Sequence, residues 1–163
     1  MVREERARCA VDRYTGPIMR LGYSYLRSTA DAQDVCQTVL MKLLTENHQF
    51  ESDEHEKAWV LCCAANLCKN MLKSPWKKRT CPLEEWNAWT EGLEEPDGQV
   101  MGAVKALPAK YRVVIDLYYY EGYGAKEIGE ILNISQNAVY TRLARAREKL
   151  KWELEGMEYE ETV

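Results

Sequence analysis

Phenylalanine is almost missing from this chain: one Phe stands against ten Tyr and five Trp. Its aromatic surface therefore consists of rings with a polar tip, which suit places that are half in water. Long apolar runs are missing too. None approaches the ~18 consecutive residues of a membrane span, so no membrane insertion is expected. The start MVREERARCAVDRY is charged where a secretory signal would be apolar, and the expected location is cytoplasmic. Without an export signal, Cys9, Cys36, Cys62, Cys63, Cys68 and Cys81 read as reduced thiols, and no two of them form C-x-x-C. They are expected to be small apolar packing residues; a zinc or redox site using Cys62, Cys63 and Cys68 with His48 or His55 is the alternative. A glycine-rich phosphate loop and an evident Ser-His-Asp arrangement are also lacking. The expectation is a protein that is not an enzyme and has no cofactor and no metal.

What is present is helical periodicity. Val35, Val39 and Leu43, like Ile128, Ile131 and Leu132, recur at spacings of three and four, which predicts an all-α fold. VVIDLYYY, Val113 to Tyr120, has the β-branched and aromatic content of a strand. Pro108 before it and Gly122 and Gly124 after it are instead helix start and stop signals. Helices are predicted over Glu4 to Tyr14, Ile18 to Leu26, Ala30 to Thr45, His55 to Lys73, Gln99 to Ala106, Ala109 to Glu121, Ala125 to Leu132 and Gln136 to Leu154. Composition changes between Thr80 and Gly98, where Pro82, Gly92, Pro96 and Gly98 punctuate an acidic stretch. This predicts two small helical domains, 1–79 and 99–163, joined by an acidic linker, 80–98. Within the linker Leu83, Trp86, Trp89 or Thr90, and Leu93 have the spacing of a short amphipathic helix.

The segment EIGEILNISQNAVYTRLARAREKL, Glu127 to Leu150, carries Arg142, Arg145, Arg147 and Lys149 in a chain of net charge -4. A short helix, a break at Asn133 and Ile134, and a longer helix opened by Ser135 predict a helix-turn-helix. Asn133 tolerates the left-handed backbone of a sharp turn, and the Ser135 hydroxyl can accept from a free amide of the next helix. At about 100° per residue, Val139, Leu143, Ala146 and Leu150 form one apolar stripe. Asn137, Thr141, Ala144 and Arg145 lie opposite, flanked by Tyr140 and Arg147 on one side and by Arg142 and Lys149 on the other. Such a face suits a major groove, with flanks on phosphates and the centre on base edges. Local sign governs this surface, not the sum over the chain.

In the amino-terminal half, Ser28-Thr-Ala-Asp31 reads as a capped start to DAQDVCQTVLMKLL. Val35, Val39 and Leu43 face inward, leaving Asp34, Gln37, Thr38 and Met41 wholly or partly outside. The following helix runs from acidic residues through Trp59 to a basic end. Lys69, Lys73, Lys77, Lys78 and Arg79, with Trp76 among them, are unbroken by an anion. A helix dipole favours cations there. Cations interleaved with aromatic and amide side chains also suit single-stranded nucleic acid.

In this order, DAQDVCQTVLMKLL, AWVLCCAANLCKNML and LPAKYRVVIDLYYYEGYGAKEIGEILNISQNAVYTRLARAREKL resemble the extracytoplasmic-function type of bacterial RNA polymerase sigma factors, in the sigma-70 family. The resemblance implies a factor that binds core RNA polymerase and directs promoter-specific initiation, with promoter DNA and an anti-sigma factor as further partners. Asp31, Asp34, Gln37 and Met41 would meet the polymerase. Trp59, Asn66, Lys69, Asn70 and Lys73 would engage the opened downstream element. Gln136, Asn137, Tyr140, Thr141, Arg142, Ala144 and Arg145 would approach the upstream duplex. The chain departs from the family pattern in places: Glu56 stands near where many relatives carry an aromatic that helps cradle a flipped base. Gly129 replaces a frequent Ala, at up to ~1 kcal/mol of helix propensity. The rival reading is a helix-turn-helix transcription regulator, like a response-regulator output domain, without polymerase docking; it leaves Asp31 to Lys73 unexplained.

Overall fold

The computed structural model describes the backbone of residues 3–73 and 98–161, and the side chains of 3–73 and 102–152. The amphipathic segment expected from Leu83 to Leu93 lies outside the described residues. Within them the regular structure is all helical: α1 (Arg3–Leu26), α2 (Thr29–Thr45), α3 (Asp53–Lys73), α4 (Gly98–Ala106), α5 (Ala109–Ile115), α6 (Ala125–Leu132) and α7 (Gln136–Glu161). None of them is long and apolar enough to cross a membrane.

The break expected between Tyr14 and Ile18 does not occur, and α1 runs through Pro17. Proline withholds a backbone donor and costs ~3 kcal/mol inside a helix. Here Tyr14, Ile18 and Leu21 on either side are at most 1% exposed, and their burial holds the helix together. Arg27, at φ 52, turns the chain. The Ser28 hydroxyl then caps α2 by accepting from the Asp31 amide at 3.2 Å. A Cβ on Gly22 would stand 2.9 Å from that of Ala32, so the α1–α2 crossing depends on a missing side chain. α3 closes this bundle against both helices, and the Tyr14 hydroxyl donates to the Glu56 carboxylate.

In the carboxy-terminal half, α7 packs on α4, α5 and α6. VVIDLYYY is helical, as its flanks predict, but it widens at Asp116–Tyr120 into a π turn. The Glu121 amide bonds to the Asp116 carbonyl at 3.1 Å, five residues back. Gly122, at φ 76, ends the element.

The two halves are packed together: α1 meets α5 and the π turn, and α3 meets α6. Polar groups tie this seam. The Glu121 side chain, 3% exposed, accepts from Arg20 Nη2 at 2.9 Å and Lys57 Nζ at 2.7 Å. Buried Arg112 donates through Nε to the Ser24 carbonyl at 3.0 Å, and also to the Leu107 carbonyl. Arg27 donates to the Lys105 carbonyl at 2.7 Å.

Beside this cluster lies Asp116, whose Oδ2 is buried without a hydrogen-bond partner among the described residues. Burial first, and Glu121 second, push its carboxyl up to about 7 from an ordinary 3.8, against the pull of Arg20 and Lys57. A raised carboxyl pKa has no effect on stability at pH values below the unfolded value. As pH climbs from there through the folded value, stability falls, because only the unfolded chain ionises freely. Asp116→Asn is therefore expected to raise the melting temperature at about pH 8, by a margin that shrinks towards about pH 4. Calorimetry across that range checks it; a margin independent of pH would contradict the burial argument.

Candidate nucleic-acid interface

The helix-turn-helix forms as its break residues require. Gly124 precedes α6, and its amide donates to the Glu127 carboxylate at 3.0 Å. Asn133 takes the left-handed conformation, φ 57 and ψ 49, and stops the helix. The chain then folds back so closely that the Ile134 amide bonds to the Gly129 carbonyl at 3.0 Å. A Cβ on Gly129 would lie 2.8 Å from the Ile134 carbonyl oxygen. What looked like a loss of helix propensity is thus room for the turn. Ser135 Oγ accepts from the Ala138 amide at 3.0 Å and opens α7.

On α7 the predicted stripe faces inward: Val139, Leu143 and Ala146 are buried and Leu150 is partly so. Gln136, Asn137, Tyr140, Thr141, Ala144 and Arg145 are exposed. Arg142 differs from them. It is half-buried, towards the amino-terminal half, and its charge is felt by Tyr25 and Lys69. Arg147 Nε donates to the Tyr119 hydroxyl at 3.0 Å, and its guanidinium lies 5.3 Å from the Tyr118 ring centroid. The π turn therefore holds a cation beside the reading face. The sequence signals the aromatic run and the arginine separately, but not their meeting.

On α3, Asn66, Asn70 and Lys73 are exposed, whereas Lys69 is half-buried and donates to the Leu132 carbonyl at the end of α6. Burial, followed by the nearby positive charge of Arg142, pushes the Lys69 pKa below its ordinary value. Trp59 is half-buried in a ring cluster, its centroid 4.5 Å from His48 and 5.7 Å from Phe50. From sequence His48 enters only as a ligand of the alternative metal site, and Phe50 has no site role. A lone Phe in a polar loop gives no periodic signal. On α2, Asp34, Gln37 and Met41 are exposed and Asp31 is half-buried; Met41, 56% exposed, is an apolar tip in a polar surface.

Burial first, then Asp31, raises the Cys68 thiol to about 12, far from the thiolate that a nucleophile or metal ligand needs. Among the described residues no three His, Cys, Asp or Glu side chains converge as metal ligands.

Comparison with known proteins covers both halves. Residues 10–78 match the family described as Sigma-70 region 2 and residues 97–150 match Sigma-70, region 4. The chain is similar to the ECF RNA polymerase sigma factor SigW of Bacillus subtilis, with 30% identity over 166 residues, 90% of this chain and 88% of that one. Its fold is similar to that of CnrH, solved in complex with the cytosolic domain of CnrY (TM-score 0.66, 21% identity, 94% of this chain and 90% of that one). It is also similar to that of RpoE, solved with the anti-sigma factor NepR from Bartonella quintana (TM-score 0.62, 20% identity, 91% and 96%). A regulator with only the helix-turn-helix would not account for the match over 10–78.

The turn geometry makes Gly129 a test of the reading face. Gly129→Leu should cost about 1–3 kcal/mol by overpacking and weaken duplex binding, because the turn that aims α7 must move. Urea denaturation and a duplex titration check both; unchanged stability would mean that the close approach does not exist.

Proposed function

The chain belongs to the sigma-70 family of RNA polymerase sigma factors, in its extracytoplasmic-function type, and from that premise we infer that it binds core RNA polymerase and directs initiation at specific promoters. The observation that carries this is one of combination. A capped helix-turn-helix with an exposed reading face shares its chain with a helical bundle that matches region 2 and exposes an acidic, Met-tipped face.

The division of labour that we draw gives core docking and strand opening to 1–79, a connection to 80–98, and upstream binding to 99–163. Asp31, Asp34, Gln37 and Met41 would meet the polymerase, a role that the exposure of the last three supports. Trp59, Asn66, Lys69, Asn70 and Lys73 would hold the opened strand, where unstacking costs a few kcal/mol per flipped base and must be offset by stacking and ionic contacts. Gln136, Asn137, Tyr140, Thr141, Arg142, Ala144 and Arg145 would approach the upstream duplex, Arg142 only after leaving its half-buried position. Sigma factors are in general initiation factors without catalysis of their own. This chain would accordingly choose where synthesis starts and leave the chemistry to the polymerase, working in the cytoplasm. The solved likeness to a factor held by an anti-sigma protein supports adding such a protein to its partners.

Mapping transcript starts made by core polymerase with and without this chain tests the reading. New, specific starts are expected; no co-elution with core and no transcript would overturn it. Arg145→Ala should weaken upstream binding and leave core binding intact. Lys73→Ala should reduce the salt slope of opened-strand binding by about one. An unchanged slope would mean that Lys73 touches no phosphate.

A further inference from the structure

Three consecutive tyrosines end the π turn, and none of them is buried: Tyr118, Tyr119 and Tyr120 are 37%, 57% and 51% exposed. Packing into the core therefore does not account for them. Their neighbours are cations. Tyr120 has Arg20 of α1 at 5.8 Å from its ring centroid. Tyr118 and Tyr119 meet α7 instead, where the Arg147 guanidinium stands 5.3 Å and 5.9 Å from their centroids and donates through Nε to the Tyr119 hydroxyl at 3.0 Å. The two rings lie edge to face, 4.9 Å apart and inclined at 73°. A turn closed by a bond to the fifth residue back is wider than an α turn and fans successive side chains through a smaller angle, so two adjacent rings can reach one cation. Such turns are rare in helices and frequent at functional sites.

The partners of Arg147 also differ in kind from those of other arginines. Arg20 and Arg13 meet carboxylates, Glu121 and Asp53, which neutralise them. Phenols orient a guanidinium and leave its charge in place, and among the described residues no carboxylate pairs with Arg147. Ordering a long side chain is part of what association costs, and a side chain already ordered in the free protein spares that cost. With Nε committed to Tyr119, the end-on pair of Nη1 and Nη2 is the one suited to grip a phosphate. Arg147 lies two turns beyond exposed Tyr140, on the same flank of the reading face.

We propose that Tyr118 and Tyr119 are positioning residues, which set Arg147 towards a backbone phosphate of the upstream duplex while the protein is still free, so that the π turn is part of the DNA-binding device. The exposed centre of α7 reads bases, and this clamp fixes its register on the duplex. The proposal deepens the proposed function and rests on its assignment of α7 to duplex DNA.

The test uses the full-length chain and a fluorescein-labelled mixed-sequence duplex at low ionic strength, since a phosphate contact carries no sequence information. Circular dichroism confirms that each variant folds. Arg147→Gln should lower the salt slope of binding by about one. Tyr119→Phe keeps the ring and the cation but removes the hydroxyl. It should weaken binding by about three- to ten-fold, the worth of one hydrogen bond, with the slope unchanged. Made in the Arg147→Gln chain, the same change should do nothing further, because the residue through which it acts is gone. An equal loss in both backgrounds would mean that Tyr119 acts on the fold and not through Arg147. A slope unaltered by Arg147→Gln would mean that Arg147 touches no phosphate; either result overturns the proposal. Arg145→Ala on the same duplex reports on the underlying assignment. If it weakens binding while Arg147→Gln does not, the clamp alone is wrong; if neither has an effect, α7 does not meet the duplex and both readings fall.

Discussion

A carboxylate shut between two cations, Glu121 with Arg20 and Lys57, fixes how one half of this molecule sits on the other. Withdrawing charges from water costs several kcal/mol per ion unless partners compensate. Here the compensation comes from helices about sixty and a hundred residues away in sequence. The neighbouring contacts follow from that placement. Arg112 finds the Ser24 carbonyl, Arg27 finds the Lys105 carbonyl, and Lys69 finds the end of α6. Asp116 is left with one oxygen unpartnered and a carboxyl that resists ionising. The seam is therefore specific in geometry and, among the described residues, incompletely satisfied in its polar groups.

Charge segregation explains how an acidic chain can approach DNA. The exposed face of α7 carries Arg145 and Arg147, and the exposed end of α3 carries Lys73. Exposed Asp34 lies on α2, and exposed Asp53 and Glu54 lie at the opposite end of α3 from Lys73. Fields at a surface fall off within about a Debye length, ~8–10 Å, so each face acts by its own sign. Opposite signs are thus separated along α3 itself as well as between helices.

Much of the fold could be read in the residues because local chemistry and tertiary role agree. Ser28, Asn133 and Ser135 cap or turn the chain where their side chains predict, and the stripes Val35–Val39–Leu43 and Val139–Leu143–Ala146 are buried. The misplaced break at Pro17 shows the limit: a local breaker loses to burial on both sides of it, and burial is a property of the whole fold. The exposed reading face was legible from periodicity, and the inward Arg142 was not. Its placement depends on a surface contributed by α3, as the pairing of Glu121 depends on Arg20 and Lys57. Such meetings leave no trace in the spacing of either partner. His48 and Phe50 around Trp59 belong to the same class of hidden contact.

The central claim is that the charge pairing at Glu121 fixes how the two halves sit together. The most direct measurement is single-molecule energy transfer between dyes carried by non-natural amino acids at exposed Gln33 on α2 and exposed Lys126 on α6. The free protein should show one narrow, short-distance population, and Glu121→Ala, which removes the shared carboxylate, should broaden it or move it to a longer distance. A broad population in the parent chain, or one that Glu121→Ala leaves unchanged, would contradict that claim.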